Sequence, residues 1–221
     1  MNVTKELLHT YYELPETQQT NVLTIYSLSL ARHKLIPISG WKHALDLGAG
    51  NLRDTELLAR HFEEVDALDR EPYMLERMHR LDEEAVHCIV CDMTSHCYPP
   101  YRYDYINAQW VLPFIPPEQF DEVFKHIAES LKPWGLLSGQ FFGSHDYRIE
   151  ADEDEALSHI PGMGRLMTLL VSAGLNPVQA EEHEFMHPSV YTGEEENHHY
   201  FDIIAQQCSS PYSFSIEWPP N

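Results

Sequence analysis

Basic residues are scarce: the 221-residue chain has 14 Lys and Arg against 35 Asp and Glu, a formal net charge of −21. A surface of that sign repels phosphate backbones and anionic membrane faces at long range, so neither nucleic acid nor membrane is an expected partner. Long apolar runs are missing too. No stretch approaches the roughly 18 residues needed to span a bilayer, and no basic-then-apolar leader opens the chain, so a cytoplasmic location is expected. Cysteine is sparse. Cys88, Cys91, Cys97 and Cys208 make no dense framework, which fits reduced thiols. His87-Cys88 with Cys91, and His96-Cys97, look like ligand clusters. Residues three apart on a strand face opposite sides, however, so no metal is expected there. Internal repeats and low-complexity tracts are also absent.

What is present is a glycine turn after a buried strand. Ala44-Leu45-Asp46-Leu47-Gly48-Ala49-Gly50-Asn51 reads as an apolar strand, a turn and a helix start, and Asp69 lies 19 residues beyond Gly50. That is near the roughly 20-residue spacing of the ribose-binding acid in nucleotide-binding βαβ units. The glycines permit close backbone approach to a ligand, and the acid can accept from vicinal hydroxyls. A dinucleotide fingerprint needs a glycine at the sixth loop position, where this chain has Arg53. Nicotinamide binding is therefore disfavoured, and with it an oxidoreductase.

The pattern Asp46-x-Gly48-x-Gly50 resembles motif I of the class I S-adenosylmethionine-dependent methyltransferases. Further likenesses follow in family order, from about residue 42 to about 207. Val65-Asp66-Ala67-Leu68-Asp69 is similar to the second strand with its ribose acid. Cys88-Ile89-Val90-Cys91-Asp92-Met93 is similar to the third strand with its adenine-contacting acid. Tyr103 to Ala108 matches the fourth strand. Leu131-Lys132-Pro133-Trp134-Gly135 matches the turn before the fifth, with Trp134 replacing one glycine. Arg53-Asp54-Thr55, Leu112-Pro113-Phe114, Ser138 to Gly143 and Asn197-His198-His199-Tyr200 resemble small bacterial tellurite-resistance-like members. Leu52 stands where the family usually has a third glycine. Its side chain either crowds the methionine end of the cofactor or turns into helix packing.

The resemblance implies a Rossmann-like α/β fold: a doubly wound, seven-stranded sheet, mostly parallel with an antiparallel last strand, and helices on both faces. The chain is long enough for one such domain and short for two. A helical N-terminal extension covers 1–40, the methyltransferase domain 41–207, and a Ser- and Pro-rich tail 208–221. Val22, Leu23, Ile25, Tyr26, Leu28 and Leu30 give the extension a helical apolar period between about 4 and 34. It either covers the cofactor site or simply packs on the sheet. Strands are expected at about 42–48, 64–69, 86–91, 103–109, 134–142, 176–186 and 198–206. Helices are expected at about 52–62, 72–82, 117–131 and 161–173, the last closed by Gly174. Glu150 to Glu155 and the Gly193 to Glu196 turn read as solvated loops.

For the site, the resemblance assigns Asp46, Gly48 and Gly50 to the methionine moiety of S-adenosyl-L-methionine and Asp69 to its ribose. Asp92 and the Met93 backbone N–H go to the adenine, with Arg70 flanking it, while Asn107 and Ala108 floor the sulfonium. Asp69 and Asp92 are each also compatible with helix N-caps. Gln109, Trp110 and Phe114, with Gly143 to Tyr147, fall at strand carboxyl ends, where an acceptor would sit. Trp110 can hold an apolar or cationic acceptor through its ring face, or serve as a core residue. His199 or His198 can act as a base, or be structural. Methyl transfer is an in-line displacement governed by positioning, so no catalytic triad is required. DNA amino-methyltransferases carry an Asn/Asp-Pro-Pro-aromatic turn where this chain has Asn107-Ala108-Gln109-Trp110. A small-molecule acceptor, in a monomer or homodimer, is the expectation. The alternative is a catalytically silent cofactor-binding or partner-binding protein on the same fold.

Overall fold

In the computed structural model, residues 19–31, 41–78, 81, 84–189 and 193–208 are described. The tail beyond 208 and the outer parts of the expected N-terminal helix lie outside them.

Helix α1 (Val22–Leu30) leads into strand β1 (His43–Leu47), then helix α2 (Arg53–Leu58), β2 (Glu64–Asp69), α3 (Tyr73–Arg77), β3 (Val86–Val90) and β4 (Tyr103–Ala108). A short 3-10 turn, Leu112–Phe114, precedes α4 (Phe120–Glu129) and β5 (Leu131–Gly143). The chain continues through α5 (Tyr147–Glu150), β6 (His159–Ile160), α6 (Met163–Ser172), β7 (Leu175–Pro188) and β8 (Glu195–Gln207). The sheet order is β3-β2-β1-β4-β5-β8-β7, with β6 beside β5. Strands β3, β2, β1, β4 and β5 run parallel, and β8 is inserted antiparallel between β5 and β7. The doubly wound sheet with its antiparallel last strand is thus as expected. The two-residue β6 is an addition that no sequence period could announce.

Period-two alternation splits the core. Leu45, Leu47, Ile106 and Leu137 face α4 and α6, packing with Phe124, Ile127, Leu166 and Leu170. Ala44, Tyr105 and Leu136 face the opposite side, where Leu23, Leu28, Leu52, Leu58 and Phe62 gather. Every residue of the central strand β4 is buried, so both faces are covered, as a parallel strand requires.

Several boundaries differ from the sequence expectation. Helix α2 stops at Leu58 because tight turns, Arg60 N to Leu57 O and His61 N to Leu58 O, replace its last turn. Helix α3 follows Pro72, and residues 79, 80, 82 and 83 of the helix expected there lie outside the described residues. Helix α4 begins at Phe120 because Pro116 and Pro117 carbonyls accept from Gln119 and Phe120 in a preceding turn. Strand β5 starts three residues early: Leu131 pairs Tyr103 before the chain bulges around Trp134 and rejoins at Leu136 opposite Tyr105. Glu195 and Glu196, read as loop, pair Pro188 and His187 at the start of β8. Their charge hides a strand that is solvated on both sides.

Candidate functional site

The glycine turn leaves β1 at the carboxyl edge of the sheet. Gly48 and Gly50 take φ of +73° and +51°, in the left-handed region that favours glycine. A Cβ on Gly48 would collide with the Val111 side chain, so glycine is needed for the turn to lie against the β4 exit. Gly48 and Ala49 both donate to Leu68 O, at 2.8 and 3.0 Å, which ties the turn to β2. Asp69 ends β2 and reaches back: Oδ2 accepts from Gly50 N and Oδ1 from Glu71 N, each at 2.9 Å. Burial pushes its carboxyl above the usual range. On the next strand, Asp92 Oδ1 accepts from Thr94 N and Oγ1, which hold its carboxyl below the usual range. Neither acid is a helix N-cap, since Pro72 opens α3 and a turn follows Asp92. Arg70 is largely exposed, and its positive charge acts on both acids. Tyr98 donates to Met93 O at 2.9 Å, fixing the chain after Asp92.

Beneath the turn runs a buried polar chain. Asp46 accepts from Thr55 Oγ1 and from Asn107 Nδ2, so both its oxygens are used inside the protein. Burial, with help from the Asp54 charge, raises its pKa to about 7. Asn107 Oδ1 accepts from Thr24 Oγ1 at 2.9 Å and Gln109 Nε2 at 3.0 Å, and Gln109 Nε2 also reaches Ser138 Oγ at 3.2 Å. Helix α1 joins this chain from above. Thr24 touches Asn107, Ser27 Oγ lies 2.7 Å from Tyr105 Oη, and Asn21 N donates to buried Asp54 at 2.8 Å. Sequence reasoning did not single out these residues. The signal was there, because Asn21, Thr24 and Ser27 recur every three residues along a largely apolar segment. Leu52 turns away from the crevice: it takes φ 65° and its side chain is fully buried in the α1–α2 core.

Aromatic side chains wall the crevice beyond β4 and β5. Trp110, at φ 58°, meets Tyr200 edge-on at 4.9 Å between centroids, with Phe142 at 6.2 Å. The Arg148 guanidinium carbon lies 3.8 Å from the Phe142 centroid and 5.3 Å from Trp110. Fully buried Asp146 holds that guanidinium with bonds of 2.7 and 2.9 Å. His199 is buried, and both its ring nitrogens are engaged. Nδ1 accepts from His145 N at 3.1 Å, so the neutral ring carries its proton on Nε2, 3.0 Å from Glu182. This tautomer leaves no lone pair free for a base. Gly143 makes room for the ring, because a Cβ there would strike it. His198 is half-buried beside Tyr147 and Phe185, and burial lowers its pKa.

Among the described residues, His145, Glu184 and His199 form the group whose ligand atoms fall within 4.8 Å of one another. The His145 N–H occupies the His199 Nδ1 lone pair, which argues against ligation through that atom. The cysteines form no such group. Cys88 Sγ meets Met78 Sδ, and Cys91 Sγ points to Asp92 O. No helix among the described residues is long and apolar enough to cross a membrane.

A family model described as "Methyltransferase domain" matches residues 44–135. The N-terminal Xaa-Pro-Lys N-methyltransferase 1 of Xenopus tropicalis is 28% identical over 158 residues, covering 69% of this chain and 70% of that protein. The Burkholderia thailandensis 1,6-didemethyltoxoflavin-N1-methyltransferase, solved with 1,6-didemethyltoxoflavin and S-adenosylhomocysteine, superposes with a TM-score of 0.65 at 20% identity. That match covers 92% of this chain and 85% of that one. N-methyltransferase NodS of Bradyrhizobium japonicum, solved with S-adenosylhomocysteine, gives a TM-score of 0.63 at 16% identity over 91% and 97% of the two chains.

Proposed function

We propose that this chain is a class I S-adenosylmethionine-dependent methyltransferase that carries the methyl group of S-adenosylmethionine to a small-molecule acceptor held at the carboxyl ends of β4 and β5. One observation carries the reading: the Asp69 carboxylate closes onto the Gly50 N–H across two parallel strands. That joins the glycine turn and the ribose acid in one crevice.

In this reading Gly48 and Gly50 let the methionine moiety approach the backbone. Asp46, with both oxygens engaged inside the protein, braces the turn beneath it rather than offering a free oxygen. Asp69 takes the ribose hydroxyls, and Asp92 with the Met93 N–H takes the adenine beside Arg70. Asn107 and Ala108 floor the sulfonium. Residues 41–207 make up the cofactor-binding domain, 1–40 an extension that is helical where described, and 208–221 a tail. Helix α1, bonded to Asn107 and Asp54, supports the reading that the extension covers the site. The reaction needs the acceptor atom about 3–3.5 Å from the methyl carbon and in line with the breaking C–S bond, which the crevice supplies by positioning.

A second reading takes the α-amine of a protein N-terminus as the acceptor. It is favoured by the Xenopus relative's name and by a charge of −21, which attracts a lysine-bearing segment. Methyl transfer from labelled S-adenosylmethionine to a small-amine panel and to a Xaa-Pro-Lys peptide separates the two. Cofactor binding with no turnover of either would instead indicate a silent binding protein.

A further inference from the structure

One buried side-chain oxygen just past β4 has no partner among the described residues. Gln109 follows β4 by one residue and is 7% exposed, yet its Oε1 meets no donor among the described residues. The orientation of the amide is forced. Asn107 Nδ2 donates to Asp46 Oδ1 at 2.9 Å, the other Asp46 oxygen being engaged with Thr55 Oγ1, which turns Asn107 Oδ1 toward Gln109. An inverted Gln109 amide would set two carbonyl oxygens face to face, so Nε2 must occupy that end. Nε2 serves Asn107 and Ser138, and Oε1 is the end left over. Buried carbonyls in native proteins are nearly all paired, and each exception calls for an explanation.

Resting on the methyl-transfer reading above, we propose that Gln109 Oε1 accepts a hydrogen bond from the methyl-accepting group, and that this group is an amine nitrogen bearing an N–H. Gln109 leans on Ser138 of β5, away from β2 and β3, at whose carboxyl ends Asp69 and Asp92 stand, so it belongs to the acceptor half of the crevice. The next residue, Trp110, starts the aromatic wall. Nitrogen is favoured over oxygen because an amide cannot take up a proton. A hydroxyl bound to Oε1 would have to lose its only proton to a base, and His199, the buried histidine nearby, has both nitrogens engaged. A neutral amine offers a lone pair and an N–H from the same atom. It attacks with the lone pair while the N–H stays on Oε1. The N–CH3 bond forms, the C–S bond breaks with its electron pair going to sulfur, and the new ammonium later releases a proton to water.

The test titrates enzyme saturated with S-adenosylhomocysteine with ethyl-, benzyl- and indolylethylamine, each beside its N,N-dimethyl and alcohol counterparts. At least one primary amine is expected to bind at least tenfold tighter than both counterparts. Gln109→Met is expected to shrink that preference to about twofold while its affinity for S-adenosylhomocysteine stays within threefold of the parent. Equal binding within every set, no binding by any amine, or a preference that survives in Gln109→Met would overturn the proposal. Failure to bind S-adenosylhomocysteine at all would instead count against the methyltransferase reading itself.

Discussion

Leu52 and Trp134 both stand where the family resemblance expects glycine, and both accept a left-handed backbone, at φ 65° and 70°. The same strain, roughly 1–2 kcal/mol for a non-glycine residue, has opposite consequences at the two sites. Trp134 is 58% exposed, so little burial compensates it. Trp134→Gly is expected to stabilise the protein by about 1 kcal/mol, raising Tm by roughly 2–4 °C in a thermal melt. Leu52 is buried, and losing a core leucine costs about 2–5 kcal/mol. Leu52→Gly should therefore lower Tm despite relieving the same strain. Asp46 supplies a third test. Its folded pKa is raised from 3.8 to about 7 by burial, so the folded state holds a proton that the unfolded chain has lost. The stabilisation is present below pH 4 and is lost as pH rises toward 7. Asp46→Asn cannot ionise. Its Tm relative to the parent should therefore climb between pH 4 and 7, and a flat difference would mean that Asp46 does not titrate in this range.

Helix α1 is tied to the crevice by single polar contacts, which makes it the element whose opening is easiest to provoke. Asn21 Oδ1 caps the helix by accepting from Leu23 N at 2.8 Å. Asn21→Ala should cost about 1 kcal/mol. Faster hydrogen exchange confined to Val22–Leu30 is expected, together with severalfold weaker S-adenosylhomocysteine binding if α1 covers the site. Unchanged binding with a looser helix would make α1 ordinary packing. Elements of this kind also mark how far sequence carries. The strand–helix alternation, the glycine turn and the acids at the ends of β2 and β3 were legible because each depends on local pattern and spacing. Buried stripes such as Phe120, Val123, Phe124 and Ile127 were legible for the same reason. The Thr24–Asn107–Gln109 chain was not, because the polar spacing along α1 says nothing of a partner 83 positions away. Arg148 was missed because its clamp by Asp146 and its seat on Phe142 exist only once β5, α5 and β8 meet. The early start of β5 was hidden by the Lys132-Pro133-Trp134 bulge, and the charged start of β8 by residues that read as loop.

At the scale of the molecule, an acidic chain folds so that its glycine turn, the acids at the ends of β2 and β3 and its aromatic wall fall along the carboxyl edge of the parallel strands. Opposed burial patterns on the two faces leave that carboxyl edge as the place where a ligand can enter between β1 and β4, where the winding reverses. The central claim is that this edge binds S-adenosylmethionine through the Gly50–Asp69 junction. Calorimetric titration of the whole chain with S-adenosylmethionine and S-adenosylhomocysteine, beside Asp69→Ala, tests it most directly. One micromolar site is expected for each ligand. Asp69→Ala should weaken both by roughly 30-fold, the equivalent of about 2 kcal/mol for a charged hydrogen-bond acceptor. Absence of binding by either ligand, or equal binding by a folded Asp69→Ala protein, would contradict it.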